Sequence, residues 1–359
     1  MLSKTRPRYN AEALRSFTAK TFEAYGVPAD DAALGAEVLI DADLAGIESH
    51  GIAHLQWHPG YVPGLKDGRI NPKPDVKVLR DSPVAATWDS DGGLGVVVGR
   101  QAMDACMEKA ETSGIGMIAV TNGRHFGAAG HYARITADRD LIGMAMCNVL
   151  PIGVAGGGIQ RVYGTNPIAM SAPVEGSHPF LLDIATTAVA GGKLEIAMRQ
   201  GKDIPVGWAI DAEGNDVTDP GALRAGGGLL PLGSRMDTSS HKGYGLGLMV
   251  DIMTGVLSGM GSGFFQERGA SSQAYWFQAW RIDAFRDVGE FKADMRRMVD
   301  SIRATTPEPG REEVLVAGDP EARAHADRAA NGVPLDAETI EQLTELGEEL
   351  GFAFPSAMG

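Results

Sequence analysis

Between residues 76 and 284, short apolar runs alternate with amphipathic stretches, and this alternation restricts the chain to a layered α/β fold. Continuous apolar content marks 115–121 and 142–149 as buried strands, with further strands expected at 76–79, 84–88, 168–172, 180–184 and 275–282. Helices are expected over 95–112, 132–138, 189–198 and 242–257. The flanks read differently. Residues 11–25 and 30–48 have helical spacing, with Asp30 as a plausible N-cap, and a proline-broken helix covers 51–66. The last quarter carries charged surface helices at 288–304, 321–330 and 336–350. The 48 glycines, nearly twice the usual share, cluster at the ends of these elements and indicate tight turns and close backbone approach to a ligand. Residues 259–270 are the best candidate for a mobile loop.

A net charge of −14 argues against nucleic acid or an anionic membrane as the main partner. Cys106 and Cys147 each lie in an apolar run, which fits buried thiols in a reducing compartment. Met1-Leu2-Ser3-Lys4 lacks the apolar run of a signal peptide, and no segment approaches the length of a membrane span. The expectation is a soluble, cytoplasmic protein.

Strand–helix alternation invites a search for a dinucleotide fingerprint. Gly93-Leu94-Gly95 with Gly99 has one residue too many before the last glycine, and no acidic residue follows at the distance a ribose would need. These are better read as turn glycines. Gly191-Gly192-Lys193 lacks the rest of a P-loop, and Gly261-Ser262-Gly263 lacks the spacing of a nucleophile elbow.

Glu48-Ser49-His50-Gly51 sets a carboxylate, a hydroxyl and an imidazole before a residue that frees the backbone. His54 and His58 follow at four-residue steps, which places three imidazoles on one helical face. Proton transfer, metal binding and simple packing all remain open for this stripe, although no glutamate follows the first histidine as in a zinc protease helix. His125 and His131 flank a run of small residues after a strand, where α/β sheets bind ligands. Asp183 ends an apolar strand and would cap the next helix or accept a ligand hydroxyl. His241-Lys242-Gly243 offers a cation at a helix start.

These motifs occur in one order: Glu48-Ser49-His50-Gly51, His125-Phe126-Gly127, Gly164-Thr165-Asn166-Pro167, Asp183-Ile184-Ala185-Thr186-Thr187 and His241-Lys242-Gly243-Tyr244-Gly245. With them, nearly the whole chain resembles the malate/L-lactate dehydrogenase family of NAD(P)-dependent oxidoreductases, which is distinct from the Rossmann-type enzymes. The resemblance implies a non-Rossmann, mixed-sheet cofactor domain at 76–284. It also implies a mainly helical substrate and dimer domain built from 1–75 and 285–359. NAD or NADP would exchange hydride with C2 of a small 2-hydroxy or 2-oxo acid, or of a cyclic imino acid, in a homodimer without metal. His50 and His125 carry over as proton donor or acceptor, with Ser49 orienting. Asn148, Thr165, Asn166, Asp183, Ile184, Ala185, Thr186, His241, Lys242, Gly318, Asp319 and Pro320 carry over as cofactor contacts. Relatives often place Arg where His54 stands and sometimes Tyr where His58 stands, so the substrate carboxylate is left to His54, His58 or Arg124. Val149 replaces a cofactor-contacting serine of one relative, so only its backbone could serve.

Overall fold

The computed structural model describes residues 6–57, 60–266 and 272–359. Its main sheet has seven strands in the order Lys77–Asp81, Ala85–Asp89, Ile115–Gly123, Gln273–Arg281, Leu141–Cys147, Ile168–Ala172 and Phe180–Ile184. Only Ala85–Asp89 and Ile115–Gly123 pair in parallel, and the other neighbours are antiparallel. A doubly wound nucleotide fold is built on a mostly parallel sheet. The failed fingerprint search therefore has a structural cause. Gln273–Arg281 returns from late in the chain to the middle of the sheet, with Tyr275 and Phe277 fully buried. A second sheet of four short strands lies beside it, formed by 153–154, 161–163, 209–210 and 228–229.

Helices α1 (Ala11–Ala24) and α2 (Ala29–Leu44) pack together, the first capped by the Asn10 side chain accepting from Ala13 N–H. Asp30 is not an N-cap. Pro28 occupies that position without a side-chain bond, and Asp30 lies in the first turn. The second helix also stops four residues earlier than its pattern suggests. Tight 3-10 turns at Glu48–His50 and Ile52–Leu55 replace the expected helix before α3 (Tyr61–Lys66).

Next come α4 (Gly95–Ser113), α5 (Ala129–Ala137), α6 (Gly191–Arg199) and α7 (Ser240–Asp251), the last prolonged by a π turn at Ile252–Val256. The chain closes with α8 (Val288–Arg303), α9 (Asp319–Asn331) and α10 (Ala337–Leu350). The two ends meet. Arg8–Tyr9 pairs antiparallel with Val333–Pro334, and Phe17 makes edge contacts with Phe352 and Phe354. One buried cluster runs from Leu14, Phe22 and Leu343 through Val96 and Met103 to Ile118 and Phe277. Helical ends and sheet thus share a core. Of the expected mobile loop, 267–270 lie outside the described residues.

Candidate active site

The imidazoles do not share a helical face. The Gly51 break puts His50 in one turn and His54 in the next, and both stack on His125, which extends from the end of strand Ile115–Gly123. His54 and His125 lie 4.0 Å apart at 18°, and His50 and His125 lie 5.4 Å apart at 23°. Nearly parallel rings hold their lone pairs in parallel planes, a poor arrangement for converging on one ion at the roughly 2 Å that zinc requires. Among the described residues, no group of three potential ligands is placed to hold a metal. His58 lies outside the described residues.

Tyr61, at the start of α3, completes this cluster. Its hydroxyl lies 2.7 Å from His125 Nδ1, which also receives the Gly127 N–H at 3.3 Å. A backbone N–H can only donate, so Nδ1 is the acceptor and the ring proton sits on Nε2. Burial drives the rings toward neutrality. It lowers His50 to about 4 and, with His50 nearby, His54 to about 3; His125 falls well below its ordinary value. Ser49 Oγ meets His50 Nδ1 at 2.9 Å, and a hydroxyl can donate or accept there. His50 is consequently free to exchange its tautomer, whereas His125 is held in one.

The turn carrying His50 is fixed from beneath. Asp43 is buried in the last turn of α2 and accepts the Ile52 N–H at 2.7 Å. A Cβ on Gly51 would lie 2.0 Å from that carboxylate, so glycine is required by close approach. Burial pushes Asp43 up to about 7, against the pull of the Ile52 N–H. Glu48 takes no position for proton transfer. It bonds Arg6 at 2.8 Å and, at 2.7 Å, Arg328 of α9, whose other arm reaches the Asp43 carbonyl. Gly95 has a similar role behind His125, since a Cβ there would strike the carbonyls of Arg124 and His125 at 2.2 and 2.3 Å.

A cavity of about 660 Å³ opens in front of this turn. Ser49, His50, Thr165, Asp183, Ala185, Gly192 and Lys193 are among its walls. Asp183 ends the edge strand and accepts the Gly130 N–H at 2.8 Å at the start of α5, through one oxygen only. Burial raises it to about 6. Its second oxygen can accept a ligand hydroxyl. A smaller cavity of about 230 Å³ shares Ile47, Ala128 and Glu321 with the first and includes Gly318 in its wall. His131 belongs there, 2.7 Å from Asp41. Burial raises Asp41, but the His131 contact and Arg134 outweigh it and hold the carboxylate well below its usual range. The two joined spaces, with a carboxylate able to take a hydroxyl and an imidazole able to take a proton, suit an elongated dinucleotide.

Several expected contacts have other work. Arg124 does not line the cavity. Its guanidinium is spent on the carbonyls of Arg69 and Gly123, at 2.5 and 2.9 Å, with further bonds to Asn122 and Ser272. The side chain expected to meet the substrate carboxylate is thus engaged with backbone in this structure. Asn148 bonds Asp251 and Ala274, and Asn166 bridges the Val149 N–H and the Gly247 carbonyl. Even the Val149 backbone donor is occupied. Thr186 bonds the carbonyls of Thr165 and Asn166. These three side chains shape the wall from behind. Ile184 does not line the cavity, although its neighbours Asp183 and Ala185 do. Asp319 is tied to Arg303, His178 and the Val316 N–H, and Pro320 follows in the first turn of α9. His241 and Lys242 are exposed at the start of α7 and touch neither cavity within one chain.

Residues 9–344 match the malate/L-lactate dehydrogenase family. The chain belongs to this family. It is 40% identical to the malate dehydrogenase of Pyrococcus horikoshii over 349 residues, covering 96% of each. The solved malate dehydrogenase of Entamoeba histolytica superposes with a TM-score of 0.92 at 29% identity, over 98% of this chain and 100% of that one. Δ1-Piperideine-2-carboxylate reductase from Pseudomonas syringae gives 0.83 at 27%, over 94% and 99%. As a member of this family the protein is an NAD(P)-dependent oxidoreductase. Sequence reasoning missed Tyr61 and Asp43. The signals were an aromatic after Pro59-Gly60 and two aspartates, Asp41 and Asp43, within the apolar end of α2.

Proposed function

We propose that the protein transfers hydride between a nicotinamide cofactor and C2 of a small 2-hydroxy or 2-oxo acid, with His50 exchanging the proton. The observation that carries this reading is the His50 ring itself, neutral, on the wall of the larger cavity and partnered at Nδ1 by a serine that can donate or accept. In the oxidative direction His50 Nε2 takes the hydroxyl proton while its Nδ1–H points to Ser49. In the reductive direction the protonated ring gives its Nε2 proton to the growing alkoxide and returns to the neutral form. The cofactor, when bound, supplies or receives the hydride. His125, its proton fixed on Nε2, polarises rather than shuttles. Asp183, Thr165 and Ala185 hold the cofactor near its reactive end, and Gly318 with its neighbours Asp319 and Pro320 supports the far end beside the smaller cavity.

A cyclic imino acid as substrate is the second reading, supported by the likeness to the piperideine carboxylate reductase. Both readings place the helical segments 1–75 and 285–359 over the substrate and 76–284 around the cofactor. They also make the protein a homodimer, with the exposed His241 and Lys242 reaching cofactor from the partner. Two buried, unpaired cysteines fit a cytoplasmic setting, and no helix among the described residues is long and apolar enough to cross a membrane. His50→Ala is expected to lower kcat roughly a hundredfold or more while NADH or NADPH still binds, as followed by fluorescence. Unchanged turnover on a panel of 2-oxo acids and cyclic imines would remove His50 from the mechanism.

A further inference from the structure

A carboxylate entering the larger cavity meets an unfavourable wall. Glu48, Asp183 and Glu321 line it, and burying another anion among them is costly unless a cation answers it. The histidine cluster offers little charge, because burial keeps His50, His54 and His125 unprotonated near neutral pH. Arg124 is committed to backbone carbonyls, and Arg328 to Glu48 and the Asp43 carbonyl. Among the described residues lining this cavity, Lys193 is the one lysine or arginine.

Lys193 stands in the first turn of α6, next to a glycine that packs on the histidine turn: a Cβ on Gly192 would lie 3.5 Å from Ser49 Cβ. No described carboxylate pairs with its ammonium, which rests 5.9 Å from the centre of the Trp208 ring. A lysine on a four-carbon stem can swing from such a loose contact to a ligand. We infer that Lys193 is the residue that binds the substrate carboxylate. This rests on the reading of the cavity as the hydride-transfer site. It also assigns a different chemistry from a bidentate arginine clamp: one point charge, tolerant of the orientation of the acid.

The test compares full-length wild type with Lys193→Met and Lys193→Arg. Three quantities are read: kcat and KM over 2-oxo acids, NADH and NADPH affinity by fluorescence, and calorimetric binding of oxamate, an unreactive 2-oxo acid mimic, to the cofactor-loaded protein. Lys193→Met should raise KM and weaken oxamate roughly tenfold or more, the loss of one charged hydrogen bond, with kcat and cofactor affinity changed less than about threefold. Lys193→Arg should recover most of the oxamate affinity. An unchanged KM and oxamate affinity in the methionine variant overturns the assignment. So does a parallel fall in cofactor affinity, which would make Lys193 a cofactor contact, and so does failure of wild type to bind oxamate. If wild type binds oxamate through Lys193 yet turns over no acid, the carboxylate site stands and the hydride-transfer reading falls.

Discussion

Tyr61 decides what His125 can do. A buried hydroxyl 2.7 Å from Nδ1, reinforced by the Gly127 N–H, leaves one tautomer, and a neutral ring protonated on Nε2 can donate to a substrate oxygen but cannot accept from it. That division of labour separates two histidines that look equivalent in the sequence. It predicts that Tyr61→Phe lowers kcat roughly tenfold, because His125 Nδ1 then keeps only the 3.3 Å Gly127 N–H bond and the ring is held less firmly in that tautomer, while NADH affinity stays the same. Stopped-flow or steady-state rates with a cofactor titration would check it. The lost hydroxyl should cost only about 1 kcal/mol of stability, so a near-normal melting curve must accompany the slower enzyme. Equal kcat in the two proteins would show that the tautomer is fixed by Gly127 alone.

At the level of elements, the turn between α2 and α3 is held by a carboxyl group that is half protonated near neutrality. Because burial raises Asp43 from its ordinary 3.8 to about 7, the folded state binds more protons than the unfolded state between those values. Unfolding free energy attributable to this group therefore falls as pH rises from 4 to 7, then levels off. Asp43→Asn keeps an acceptor for the Ile52 N–H and removes the titration. The variant should gain stability over wild type by on the order of 2 kcal/mol at pH 8 and lose that advantage near pH 4. Urea melts of both proteins at several pH values measure the difference, in which the opposite contributions of the buried histidines cancel. The same turn shows where the sequence is readable. Apolar runs placed the strands 168–172 and 180–184 to the residue; burial on both faces explains the continuous signal of the first, whereas in the second, at the sheet edge, only Leu181 is buried. The helix end at Leu44 was not legible, because apolar spacing continues while Asp43 turns its carboxylate to the next segment's backbone. Nor was the stacking of His54 on His125, which depends on chain separated by about seventy residues and on a strand order no local pattern specifies.

For the whole molecule, the notable surface is the outer side of α7 and its π turn. Leu248, Ile252 and Val256 recur at four-residue spacing and are exposed, with Ile252 at 56%, and the nearby Phe265 is exposed at 79%. An apolar stripe of this kind on a charged protein is the sort of surface that association buries, and it supports the proposed homodimer. The helix that bears it also presents His241 and Lys242 at its start, away from both cavities of their own chain. Joining two copies through this stripe would bury the apolar side chains and carry His241 and Lys242 toward a neighbouring subunit. Ile252→Asp with Val256→Asp is accordingly expected to convert a dimer to a monomer, because two charges would be buried without partners at the interface. Sedimentation velocity reads the mass directly. If His241 and Lys242 act across the interface, cofactor affinity should fall as the dimer is lost, and it should recover as protein concentration drives the variant back together. A double variant that stays dimeric would place the interface elsewhere, and a monomeric variant with intact cofactor affinity would keep the interface on this stripe while returning each cofactor site to a single chain.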